Sequence, residues 1–143
     1  MSSGWPAAHL FEHHDDAYRL WRDTGVRGAT LVHVDAHPDL ARCAEPAHVH
    51  IGNFVHQAMQ DGIVSQVVWV APDRSFTTAA GRRRLVRHFA MFARDLDAHG
   101  PVTRHEGVWS LETRYGRVLA LPLAALPRID GRVLVDLDRK STR

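Results

Sequence analysis

The stretch Thr30-Leu31-Val32-His33-Val34-Asp35-Ala36-His37-Pro38-Asp39-Leu40 decides how this chain is read. Its first half is β-branched and apolar, which predicts a buried strand over Thr30 to Val34. That strand runs out into Asp35, His37 and Asp39, each two residues from the next. On extended backbone such residues point to one side. The three can therefore converge just past the strand's carboxyl end, where ligands bind in open α/β sheets. Two carboxylates and an imidazole form a mixed oxygen and nitrogen donor set suited to a divalent ion of the manganese or zinc kind. A plainer account of Asp-x-His after a strand is a turn, with the aspartate capping backbone amides and Pro38 stiffening the loop. Three ligand-type side chains in register favour the metal-site reading.

On either side of this stretch the pattern alternates between the strand and helix periods. Ala7 to Phe11 reads as a short first strand. Glu12-His13-His14-Asp15-Asp16 follows, then Ala17, Leu20 and Trp21 at helical spacing, with acids in the first turn where they suit the helix dipole. Gly25 and Gly28 stop that helix. A second helix starts around Ile51-Gly52-Asn53-Phe54 and stops at Gly62; Gln66 to Val70 is another apolar strand. The spacing of Leu85, Phe89, Phe92 and Leu96 predicts a long helix from about Thr78 to His99, capped within Ser75 to Thr78 and ended by Gly100-Pro101. Val108 to Thr113 and Arg117 to Leu121 read as paired strands around Tyr115-Gly116, and Arg132 to Asp138 as a final strand that ends in acids. This alternation predicts one α/β domain over residues 1–143: a mainly parallel sheet with helices on both faces, and strand-end acids gathered along one edge.

Bulk composition narrows the function classes. With 143 residues, 45% hydrophobic and 24% charged, the chain suits one globular domain with a real core. Its net charge of +2 comes from scattered basic residues. The one run, Arg82-Arg83-Arg84, falls in a helical stretch without interleaved aromatics and reads as a solvated helix face, not a nucleic-acid surface. Eleven histidines are many for such a length and point to imidazole chemistry. One cysteine, Cys43, forms no internal disulfide and fits a reducing cytoplasm; no signal peptide or membrane span is visible. The expected partner is a small-molecule substrate, not a membrane or nucleic acid.

Asp136 and Asp138 repeat the opening pattern, two carboxylates where an apolar strand runs out. At the same sheet edge they could serve a second metal, and two-metal sites activate a water between the ions. His14, at the strand-to-helix junction, could approach that edge too.

Glu12-His13-His14, His33 to Leu40, Ile51-Gly52-Asn53-Phe54 and Val68-Trp69-Val70-Ala71-Pro72, in this order, resemble an uncharacterised family grouped with the ureohydrolases, the arginases, agmatinases and relatives. The likeness runs from about Phe11 to Asp138, is weak between Thr103 and Arg128, and is most specific in Asp-Ala-His-Pro-Asp. It implies an arginase-like three-layer α/β/α fold, a binuclear manganese centre (with zinc or iron as substitutes) and hydrolysis of a C–N bond. Carried over, one ion is held by His14, Asp35, Asp39 and Asp136 and the other by Asp35, His37, Asp136 and Asp138, so that Asp35 and Asp136 bridge. Asn53 and His56 are weak candidates for the substrate side, and His56, on a helix, is read first as structural.

The chain leaves the family pattern after Asp138. Arg139-Lys140-Ser141-Thr142-Arg143 is an atypical tail holding the sole lysine, where the family continues with an acid, aromatics and further sheet. The resemblance therefore implies a C-terminally truncated, incomplete domain. Two alternatives follow: a non-catalytic fragment that keeps its metal ligands, or a zinc-dependent hydrolase. The latter rests on Ala36-His37-Pro38-Asp39, which resembles the Ala-His-Pro-Asp-Asp motif of N-acetylglucosamine deacetylases; Leu40 stands where that motif has its second acid.

Overall fold

A computed structural model describes residues 15–42, 49 and 52–137. The first strand expected over residues 7–11 lies outside them, as do His14, Cys43, Asp138 and the tail. Helices α1 (Asp15–Asp23), α2 (Phe54–Gln60), α3 (Arg74–Thr77) and α4 (Ala79–Asp95) accompany strands β1 (Ala29–Val34), β2 (Val64–Val70), β3 (Thr103–His105), β4 (Val108–Thr113), β5 (Gly116–Leu121) and β6 (Val133–Leu137).

The strands form one sheet in the order β3-β4-β5-β2-β1-β6. β5, β2, β1 and β6 are parallel; β4 and β3 extend the β5 edge antiparallel. The mixed α/β class expected from the alternating pattern is therefore present. β1 and β2 are both flanked by strands on either side, which is why Leu31-Val32 and Val67 to Val70 are apolar on both faces instead of alternating. Leu31, Ile63, Val64, Val67 and Val68 are fully buried.

The two faces differ. Ala29, Leu31, Val67 and Trp69 face the helices and join Trp21 of α1, Phe54 and Met59 of α2, and Leu85, Phe89 and Phe92 of α4 in the main core. Val32, Val68, Val70 and Leu121 form a smaller cluster on the opposite face, covered by Ala125, Leu126 and Ile129 of the segment that returns to β6. The expectation of helices on both faces is thus met by α-helices on one face only among the described residues; a segment with one short 3-10 turn, Leu123–Ala125, covers the other. At the edge, β6 leaves Val135 and Leu137 well exposed.

Helix α4 begins where its capping residues direct. Thr78 is its N-cap, with Oγ1 accepting from the Gly81 amide at 3.0 Å. It ends earlier than its apolar spacing suggests. Leu96 is the C-cap and Asp97 turns left-handed (φ 57), so the chain leaves the helix before Gly100-Pro101. Leu96 continues the apolar periodicity because it packs under this turn, fully buried, and not because the helix goes on.

Candidate metal centre

β1 passes the chain through α2 to β2 on one side, while β6 lies on its other side. The sheet order therefore reverses between β1 and β6, the place where α/β sheets open a crevice beyond their carboxyl ends. The candidate site is built there.

The backbone abandons the extended form once β1 ends. The Asp35 carbonyl accepts from the Trp69 indole at 2.9 Å, and Asp35 Oδ1 accepts from the His37 amide at 3.0 Å. Pro38 follows, and Asp39 adopts a left-handed φ of 53. This is the aspartate-capped turn weighed above, and it changes which side chains meet. The i, i+2, i+4 register of Asp35, His37 and Asp39 needs a strand that is no longer there. Asp35 and Asp39 still converge, but His37 is exposed and lies outside their cluster.

The third donor is His33, which the sequence reading passed over. It sits two residues before Asp35, where the strand period does hold, and is fully buried edge-on against Phe54. Its Nε2 lies 3.2 Å from Asp39 Oδ2 and 3.5 Å from Asp35 Oδ2. Its Nδ1 lies 2.8 Å from Asp136 Oδ2, its register partner on β6. Asp136 is therefore brought to the site, but to the far nitrogen of the imidazole, not between Asp35 and Asp39. His14 and Asp138 lie outside the described residues, so the ligand sets that include them are not displayed.

Burial alone would push the His33 imidazole down. The hydrogen bonds and charges of Asp136 and Asp39 outweigh that and hold its pKa up at about 10. In the metal-free protein a protonated His33 is thus the internal cation for three carboxylates. One positive charge against three negative ones leaves the cluster short of cation. Nor can a single Nε2–H serve all its neighbours, which include the His37 carbonyl at 3.0 Å. Asp39 Oδ2, 3.2 Å from Nε2, is accordingly buried without a well-directed hydrogen bond, a position that costs free energy unless a cation shares it.

These donors fit a divalent ion. Ligand atoms bound at roughly 2.1 Å in tetrahedral or octahedral array lie about 3.0–3.4 Å apart. The imidazole-to-carboxylate separations already approach that range, and one atom each from His33, Asp35 and Asp39 fall within 4.8 Å of one another. With Nδ1–H donated to Asp136, Nε2 would be free to coordinate, the carboxylate–histidine–metal arrangement that orients a ligand ring.

A cavity of about 410 Å³ opens beside the cluster, lined by Asp35, His37, Asp39, Leu40, His88 and Met91 among others. The weak substrate-side candidates do not line it. Asn53 is the buried N-cap residue of α2. His56 is buried in the core with Nε2 facing the Asp95 carbonyl at 3.3 Å, the structural role read first for it. Leu40 is fully buried, so the position where the deacetylase motif has its second acid is part of the core.

No helix among the described residues is long and apolar enough to cross a membrane. No family model, curated protein or solved structure matches the chain.

Proposed function

We propose that this chain holds a catalytic divalent-metal site at the β1/β6 switch point and belongs functionally with hydrolases of C–N bonds. The observation that carries the metal reading is the convergence of His33, Asp35 and Asp39, with Asp39 Oδ2 buried 3.2 Å from His33 Nε2 beside a substrate-sized cavity. The reaction class rests on the resemblance of the Asp35-Ala36-His37-Pro38-Asp39 region to ureohydrolases. Manganese is the preferred ion, since carboxylate-rich donor sets suit it.

When bound, such an ion makes a nucleophile from water near neutral pH and stabilises negative charge developing on the attacked group. The protein's own groups do the rest. Asp35 and Asp39 supply the charge that retains the cation, Asp136 fixes the tautomer and angle of His33, and the apolar wall of Leu40 and Met91 limits water around a planar guanidino or amide carbon. A second ion, in this reading, draws on Asp136 and Asp138, and the arginase-like three-layer arrangement is what the resemblance implies for the fold.

Metal content by mass spectrometry after manganese loading tests the site. Retention by the wild-type chain and loss in Asp35→Ala are expected; equal retention by both would remove the assignment. Release of urea or ammonia from guanidino and amide substrates by the loaded chain then tests the reaction class. Manganese binding with no such release would leave a metal site without this chemistry.

A further inference from the structure

A second cavity, of about 390 Å³, adjoins the first, and His37 and His88 line both. Its charge is opposite to that of the metal cluster. Arg74 of α3 and Arg84 of α4 line it together with Ser75, and no carboxylate does. Neither arginine makes an ion pair with the described residues, and both are exposed to solvent.

One stripe of α4 runs the length of the two cavities. Gly81, Arg84, His88 and Met91 are spaced three, four and three apart, which places them on one helix face. Gly81 and Arg84 border the second cavity, Met91 the first, and His88 both. From Arg84 to Met91 the helix rises about 10 Å. All three arginines of the run are exposed, as the solvated-face reading expects, and of them only Arg84 also borders a cavity. The spacing between α3 and α4 is fixed by backbone packing. A Cβ on Gly81 would come within 2.1 Å of the Arg74 carbonyl oxygen, so only glycine lets α4 lie this close beneath Arg74.

We infer that the second cavity is an oxyanion subsite, and that the substrate carries a carboxylate or phosphate end seated between Arg74 and Arg84. The inference about the substrate rests on the proposed metal site; the subsite itself does not. Guanidinium groups pair with either oxyanion through two parallel N–H donors, and the Ser75 hydroxyl can add a third. An anionic group would be repelled by Asp35 and Asp39, so it must be held apart from them. A cleft that is acidic at one end and basic at the other orients such a molecule along α4, with its reacting carbon at the acidic end.

The test uses the full chain freed of metal by chelator, with inorganic phosphate and then succinate as probes, followed by amide chemical shifts. Saturable shifts at Ser75 and Gly81 with at least one probe are expected, and the probe that saturates identifies the oxyanion. Arg74→Gln with Arg84→Gln should weaken that binding at least tenfold, the loss expected for removing charge-assisted hydrogen bonds. No saturable shift with either probe, or equal affinity in the double variant, would overturn the subsite. Arginine-dependent binding by a chain that takes up no manganese would uphold the subsite and remove the metal reading alone.

Discussion

His33 and Asp136 stand opposite each other on the parallel strands β1 and β6, with Nδ1 and Oδ2 2.8 Å apart. One register pair therefore ties β1 to the edge strand β6 and sets the direction in which Nε2 points. If Asp136 acts by orienting this ring, Asp136→Asn should keep the fold and lower manganese affinity about 10- to 100-fold, the usual cost of losing such a partner. Calorimetric titration would measure this. Complete loss of uptake in the folded variant would mean instead that Asp136 is itself a ligand.

The two histidines of the motif should behave in opposite ways. His33→Ala removes a buried ring and leaves Asp35, Asp39 and Asp136 without their internal cation, so a loss of roughly 2–4 kcal/mol in stability is expected, with manganese uptake abolished. His37 is exposed and outside the cluster. His37→Ala should stay within about 0.5 kcal/mol of the parent and still take up metal. Denaturant midpoints and metal content decide it; loss of metal in His37→Ala with retention in a folded His33→Ala would restore the ligand set that the resemblance implied.

That contrast shows where the sequence is legible and where it stops. Thr30 to Val34, Gln66 to Val70 and Val133 to Leu137 could be read as strands because apolar β-branched runs have few other uses, and acids at their ends pointed to the sheet edge where Asp35, Asp39 and Asp136 lie. The site's membership was harder. A histidine inside an apolar strand looks like filler, and only its two-residue offset from Asp35 marks it as facing the same way. His37 was drawn in because strand periodicity was extended past Val34, into a turn set by the Asp35 cap and the left-handed Asp39. Strand β3 escaped notice because its three residues, Thr103-Arg104-His105, are all exposed and carry no apolar signal. Arg104 is held there by stacking over the Trp109 ring, 4.0 Å from its centroid, which is a tertiary contact.

Stability of the metal-free chain should peak near pH 6.5. Burial lowers the pKa of His56 and of His88, the latter further depressed by His37, Arg84 and Arg87. Their contribution is present above the unfolded value of about 6.5 and is lost as the pH falls below it toward their lower folded values. His33 has the opposite sign. Its pKa is raised to about 10, so its contribution is complete below 6.5 and is lost as the pH rises through 10. Denaturation midpoints between pH 5 and 10 should thus fall on both sides. His56→Leu should flatten the acid limb and leave the alkaline one. A midpoint that rises steadily from pH 6.5 to 10 would contradict the charge state assigned to His33.

Tyr18 supplies a second alkaline signature, one that does not depend on the metal cluster. It is 4% exposed and donates its hydroxyl to Asp61, and burial together with that carboxylate pushes its pKa up to about 12. The favoured folded form is neutral, so the stabilisation is intact below about pH 10 and is lost as the pH rises toward 12. Ultraviolet titration should show a tyrosinate absorbance step delayed to about pH 12, and Tyr18→Phe should remove it. A step near pH 10 that vanishes in that variant would show the hydroxyl to be hydrated.

The edge strand β6 should be tolerant on one face and sensitive on the other. Val135 is 61% exposed, whereas Leu134 packs against the main core on the helix side. Val135→Lys removes little buried surface, so stability should change by no more than about 0.5 kcal/mol. The same substitution should lower concentration-dependent self-association, because a charge on an unpaired edge strand opposes strand addition by a second chain. Leu134→Ala takes a partly buried side chain from the core and should cost about 1–3 kcal/mol. Sedimentation and chemical denaturation of the two variants separate these effects. A Val135→Lys chain destabilised as much as Leu134→Ala would mean that the exposed face of β6 is covered in solution, and that its apolar stripe is an interface.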